Sequence, residues 1–239
     1  MERIKAAYSL IPVFIFLLIW EMAARLELIP GHFFFPPFTA VVQPANFLKS
    51  LARVLIGFIT GSIAGLLMGI LMGYKETINK TFHPIFSLLY PIPALGWLPI
   101  LMLWFGISEM LPIMIIFICS FFPILYNTVT GIKTVDKNLI KVAKTLGASE
   151  RKILSTILLP LALTNIFTGL RLESGMAWRV IIAAEMVAIP TGIGALLMRA
   201  ESLIRIDIVI VCLMVLSVMC LSFEKFFIYM EHKLTSKWR

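Results

Sequence analysis

The stretch 51-LARVLIGFITGSIAGLLMGILMG-73 is a run of 23 residues interrupted by one charge, Arg53. At about 1.5 Å per helical residue it is long enough to cross a hydrocarbon core about 30 Å thick. Gly57, Gly61, Gly65, Gly69 and Gly73 recur every fourth residue, which places them on one stripe of a helix where another backbone can approach closely. The stripe predicts a packing face. The neighbour is left open between another span of the same chain and a second copy of it.

Working outward, apolar runs place further spans at 6–26, 84–106, 110–131, 161–189 and 207–230. The expected fold is therefore all-α, a polytopic membrane protein of about six transmembrane helices. The composition agrees, with 239 residues, 60% hydrophobic, 14% charged and a mean hydropathy of +0.97, where soluble domains carry about a quarter charged residues. A membrane barrel would show runs of about ten residues alternating apolar and polar, and none is present. Disorder and nucleic-acid binding are excluded on the same grounds. Arg3 and Lys5 before an apolar run resemble an export signal, but Trp20, Glu21 and Arg25 stand where a small-residue cleavage site belongs, so a retained first span is expected.

An even number of spans puts both termini on one side. Fourteen of the 21 basic residues fall on that side and four on the other, so the positive-inside rule places both termini in the cytoplasm. The span 84–106 contains Pro84, Pro91, Pro93, Gly96 and Pro99; a kink is expected, either lining a path or purely structural. Cys119, Cys212 and Cys220 lie in apolar segments without metal-ligand spacing, and the three histidines are scattered, so no metal site is expected.

The segment 133–160 is the longest connection on the cytoplasmic side and has helical periodicity. Leu139, Val142, Ala143 and Leu146 form one face, and Lys137, Lys141 and Lys144 another. Gly147 is placed to end this helix as a C-terminal cap. Ser149 is placed to cap a second helix, which Pro160 is expected to close before the fifth span. By itself this pattern also fits a basic helix lying on anionic headgroups.

The residues 141-KVAKTLGASERKILSTILLP-160 closely resemble the cytoplasmic loop of permease subunits in binding-protein-dependent ABC importers. That signature runs EAA, three residues, Gly, nine residues, Ile-x-Leu-Pro. Ala143, Gly147, Ile157, Leu159 and Pro160 fall in register, while Lys141 and Val142 stand where the family has Glu and Ala. The segments 53-RVLIGF-58, 104-WFGIS-108, 127-NTVTGIKTVD-136, 169-GLR-171, 184-AEM-186 and 192-GIG-194 are similar to the nitrate, sulfonate and taurine branch.

The resemblance implies one transmembrane permease domain over 1–239, with the type I importer fold, in a prokaryotic plasma membrane. It implies a second permease copy, an ATP-binding subunit and an external solute-binding protein as partners. ATP and magnesium would be held by the ATP-binding subunit, because this chain has no GxxxxGK[ST] loop, and no cofactor or catalytic residue is expected here. Lys141, Ala143, Lys144, Gly147, Ala148 and Ser149 are the residues implied to meet the ATP-binding subunit, as a coupling helix. A stand-alone secondary transporter or channel is the rival class.

The fifth span carries Arg171, Glu173, Arg179 and Glu185. Ionisable groups at the bilayer centre cost at least about 2.5 kcal/mol unless paired or hydrated. Arg171, Gly175, Trp178 and Glu185 share one helix stripe. They either line a solute path or hold the bundle together by pairing with other spans. The segment 190–207 is expected to dip into the membrane as an external gate, and 30-PGHFFFPPF-38 to form an interfacial belt or docking surface.

Overall fold

A computed structural model describes residues 44–235, and among them the regular structure is helical throughout. The expected span 6–26 and the segment 30–38 lie outside the described residues. The helices are α1 (Pro44–Tyr74), α2 (Glu76–Leu89), α3 (Leu98–Phe105), α4 (Met110–Lys133), α5 (Lys137–Thr145), α6 (Glu150–Ala188), α7 (Ile193–Ser202) and α8 (Ile206–Thr235). Of these, α1, α4, α6 and α8 are each long and apolar enough to cross a membrane.

The glycine stripe packs α1 onto α4 within the same chain. A Cβ on Gly57 would stand 2.7 Å from the Ile113 carbonyl oxygen, on Gly61 2.6 Å from that of Phe117, and on Gly69 2.6 Å from Thr128 Cβ. The numbers rise together along both helices, so α1 and α4 run parallel. The chain between them must therefore recross the bundle. It does so through α2 and α3, bent by 88° with Pro91 and Pro93 at the turn. The expected kinked span at 84–106 is thus a broken one that starts earlier, at Glu76. Gly131 packs against Ala162 and Gly169 against Asn127, which sets α6 antiparallel to α4.

Because the Phe117 carbonyl belongs to a helix backbone, it cannot move aside for a new side chain. Gly61→Val is expected to force α1 and α4 apart and cost about 1–3 kcal/mol or more, read as a lower melting temperature of the purified protein. An unchanged melting temperature would show that the stripe tolerates a wider helix separation.

One expectation at the start of the fifth span needs correction. Pro160 does not close a separate helix: Glu150 to Ala188 is one continuous helix of 39 residues. The turn Leu154–Leu158 is π-helical. This widened turn comes immediately before the proline, whose ring and missing N–H would otherwise disrupt the preceding turn. The expected fifth span at 161–189 falls on α6 to within one residue, and α6 is long and apolar enough to cross a membrane.

Candidate functional site

The segment after α4 folds as its local chemistry dictates. The Asp136 side chain accepts the Asn138 N–H at 2.8 Å and starts α5. At the other end, the Ala148 N–H donates to the Ala143 carbonyl and the Gly147 N–H to that of Lys144, both at 3.0 Å. This is the paired Schellman closure, and it holds Gly147 at φ +78°, the left-handed region that favours glycine. Ser149 Oγ then accepts the Lys152 N–H at the start of α6.

The four apolar positions read as one face of α5 do not share one environment. Ala143 faces inward, among Ile132, Val135, Ile153 and Leu158. Leu139, Val142 and Leu146 point away from the chain, with Leu146 82% exposed. An apolar stripe at i, i+3 and i+7 therefore lies open beside the lysines, and the Lys144 ammonium stands 4.0 Å from Glu150. The six expected coupling residues sit together on this turn. The exposed apolar side chains were not among them, although their spacing was visible.

Gly147→Val forces a β-branched residue into the left-handed conformation, while no atom within 4 Å would obstruct its side chain. The strain is therefore local. The variant is expected to retain the bundle's melting temperature; a lower one would show that the turn after α5 bears on the packing of the bundle.

At the opposite end of the bundle, α1 closes on the turn between α6 and α7. Arg53 is only 2% exposed, and Ser50 and Glu185 are fully buried. The Arg53 guanidinium uses all five N–H groups. Nη1 donates to Glu185 Oε1 at 2.7 Å and to the Thr191 carbonyl, Nη2 to Thr191 Oγ1 and Glu109 Oε1, and Nε to Glu109 Oε2 at 2.6 Å. Ser50 Oγ donates to the Glu185 carboxylate at 2.8 Å, and the Gly194 N–H donates to it at 3.0 Å. A Cβ on Gly192, where φ is +110°, would run into this carboxylate. The expected 190–207 gate segment contains this clamped turn and α7, and Arg205 there chelates Asp207.

The stripe Arg171, Gly175, Trp178 and Glu185 meets other parts of the same chain. Arg171 pairs with Glu224 of α8 at 3.1 Å, both partly exposed. A Cβ on Gly175 would stand 3.6 Å from Cys220 Sγ. Trp178 is buried edge-on against Phe223 at 5.5 Å, and Glu185 belongs to the Arg53 cluster. The two pairings are those of the bundle-holding alternative.

The open face of α6 is a different stripe, formed by Leu161, Thr164, Thr168, Leu172, Met176, Arg179 and Val187, which share one side of a helix of 3.6 residues per turn. Arg179 lies on it more than two turns before the end of the helix at Ala188. Its guanidinium reaches Met176 Sδ at 3.7 Å and no carboxylate among the described residues. Its charge is visible in the sequence but its direction is not, because it is set by helices α4 and α8, which cover the other side of α6 and are remote from Arg179 in sequence.

Residues 61–236 match the family described as the binding-protein-dependent transport system inner membrane component. The chain belongs to this family. It is a multi-pass permease subunit of an ABC importer, a transport component rather than an enzyme. It is 43% identical over 189 residues to the putative ABC transporter permease protein MJ0413 of Methanocaldococcus jannaschii, covering 79% of this chain and 71% of that protein. It is 30% identical over 236 residues to the taurine transport system permease protein TauC of Escherichia coli K12, covering 92% and 86% respectively. Other relatives are named for aliphatic sulfonate, nitrate and bicarbonate transport. The fold resembles the inward-facing methionine ABC transporter MetNI, with a TM-score of 0.61 at 13% identity, covering 81% of this chain and 98% of the other.

Proposed function

We propose that two copies of this permease enclose a path for a small anion along the open stripe of α6, and that Arg179 attracts the solute. The observation that carries this reading is an exposed guanidinium, far from the helix ends, with no carboxylate partner among the described residues. Facing lipid, such a group would cost at least about 2.5 kcal/mol. A hydrated path between two copies removes that cost, and Thr164 and Thr168 continue it with hydroxyls. The anions named for the relatives, taurine's sulfonate, nitrate and bicarbonate, are of the class a guanidinium recognises through its planar array of donors.

In the same reading α5 is the coupling helix. Leu139, Val142 and Leu146 enter a groove on an ATP-binding subunit, framed by Lys141, Lys144, Gly147, Ala148 and Ser149, with Ala143 fixing the helix to the bundle. Lys141 replaces the family's usual acidic residue and favours an acidic partner group. ATP and magnesium belong to that subunit, and the permease supplies no cofactor site. Both termini lie in the cytoplasm of a prokaryotic cell, and the Arg53 cluster lies at the external end, where a solute-binding protein docks. Closure of the ATP-binding subunits pushes α5, and the continuous helix α6 carries the displacement into the path. This is a coupling free energy between two sites.

Arg179→Gln is expected to leave assembly and ATP hydrolysis near wild type and to reduce uptake of the anionic solute about tenfold in reconstituted vesicles, with partial recovery in Arg179→Lys. Wild-type uptake by Arg179→Gln would overturn the role of Arg179 in attracting an anion.

A further inference from the structure

A cavity of about 340 Å³ opens between the bent α2–α3 connection, the middle of α4 and the middle of α6. Its volume suits a small solute. The walls are apolar or aromatic, among them Tyr90, Pro93, Phe122 and Met176, with one carboxylate, Glu173, and one thiol, Cys119. Glu173 is 8% exposed, and its partner among the described residues is the Cys119 thiol, with Sγ 3.6 Å from Oε2. A thiol is a weak donor and does not compensate a buried carboxylate. No described cation reaches it. Met176 belongs both to the cavity wall and to the open stripe of α6, so the two are continuous.

We propose that this cavity is a solute subsite that receives an organic cationic end, an ammonium or a protonated nitrogen of a ring. Such a group completes the hydrogen bonding of Glu173, while its apolar body lies against Pro93 and Met176. Tyr90 and Phe122, with ring centroids 6.4 Å apart, both belong to the wall, and aromatic rings attract the same charge. A metal ion is a poor occupant, since hard cations take six or more oxygen ligands and the cavity offers one carboxylate. The inference rests on the reading that the stripe of α6 lines the path. Combined with Arg179, it makes the transported solute bipolar, with a negative group toward Arg179 and a positive group toward Glu173.

Cys119 is a reporter inside the cavity. In a complex with Cys212→Ala and Cys220→Ala, we would measure its rate of modification by two methanethiosulfonates of similar size, one bearing trimethylammonium and one bearing sulfonate. Each rate is divided by that of a free thiol in solution. The carboxylate is expected to favour the cationic reagent by about tenfold or more. Glu173→Gln, which keeps the side-chain shape, should bring the ratio to about one, and millimolar ethylammonium should slow labelling in the parent but not in this variant. A ratio near or below one in the parent, or no labelling by either reagent in the assembled complex, would overturn the proposal. If labelling is charge-selective while Arg179→Gln transports normally, the subsite stands and the anion reading falls. If labelling is absent while Arg179→Gln cuts uptake, the subsite alone falls.

Discussion

Arg53→Gln is expected to be among the most damaging substitutions in the chain, lowering stability by about 3–5 kcal/mol, the usual cost of removing one member of a buried ion pair. In the wild type one guanidinium binds Glu185, Glu109 and both polar groups of Thr191. Glutamine has neither the charge nor enough donors, and it leaves the Glu185 carboxylate buried with only Ser50 and a backbone N–H. Glu185→Gln is milder, because Arg53 keeps its bidentate pair with Glu109. Melting temperatures of the purified complexes test this order. Equal values for Arg53→Gln and wild type would mean that α1 is held by its glycine face alone.

The acid dependence follows from Glu109, which lies outside the spans. Its hydrogen bond to Arg53 holds its carboxyl below the usual range. A carboxyl lowered on folding stabilises the fold fully above its ordinary value, and this contribution is lost as pH falls through the lowered one. The melting temperature should therefore be flat through neutrality and decline only in acid. The decline attributable to this pair should be absent in Glu109→Gln.

The second large effect concerns α5. Val142→Asp combined with Leu146→Asp is expected to weaken association with the ATP-binding subunit by at least about thirtyfold, the scale of an interface hot spot, and to reduce uptake to background. Both side chains are exposed in the chain by itself, so the melting temperature of the isolated permease should stay at the wild-type value. Retained co-purification at wild-type stoichiometry would exclude this stripe as the contact. A matching loss of intrinsic stability would instead make it part of the bundle.

The features legible in the sequence are those set within a few residues. The cap at Gly147 is local chemistry, and Asp136 offered an equally local signal that went unused. The four-residue glycine period announces close approach, but only the structure identifies α4 as the neighbour, since any backbone satisfies such a stripe. The apolar positions of α5 divide, with Ala143 inward and Leu139, Val142 and Leu146 outward, because apolar periodicity marks a face that leaves water without saying what covers it. The pairing of Arg53 with Glu185 spans 132 positions and has no local signature. The outward direction of Arg179 depends on which sides of α6 are covered by α4 and α8, which periodicity alone does not disclose.

The central claim, that α5 transmits the work of an ATP-binding subunit to this chain, is tested most directly by a photoreactive amino acid placed at Leu146 in native membranes. The account predicts a crosslink to the ATP-binding subunit, changed in yield by ATP. The same group at exposed Leu103, on the short helix α3 that leads toward the Arg53 end, should give no such adduct. Crosslinks from Leu146 to lipid alone, with none to an ATP-binding subunit, would contradict the claim.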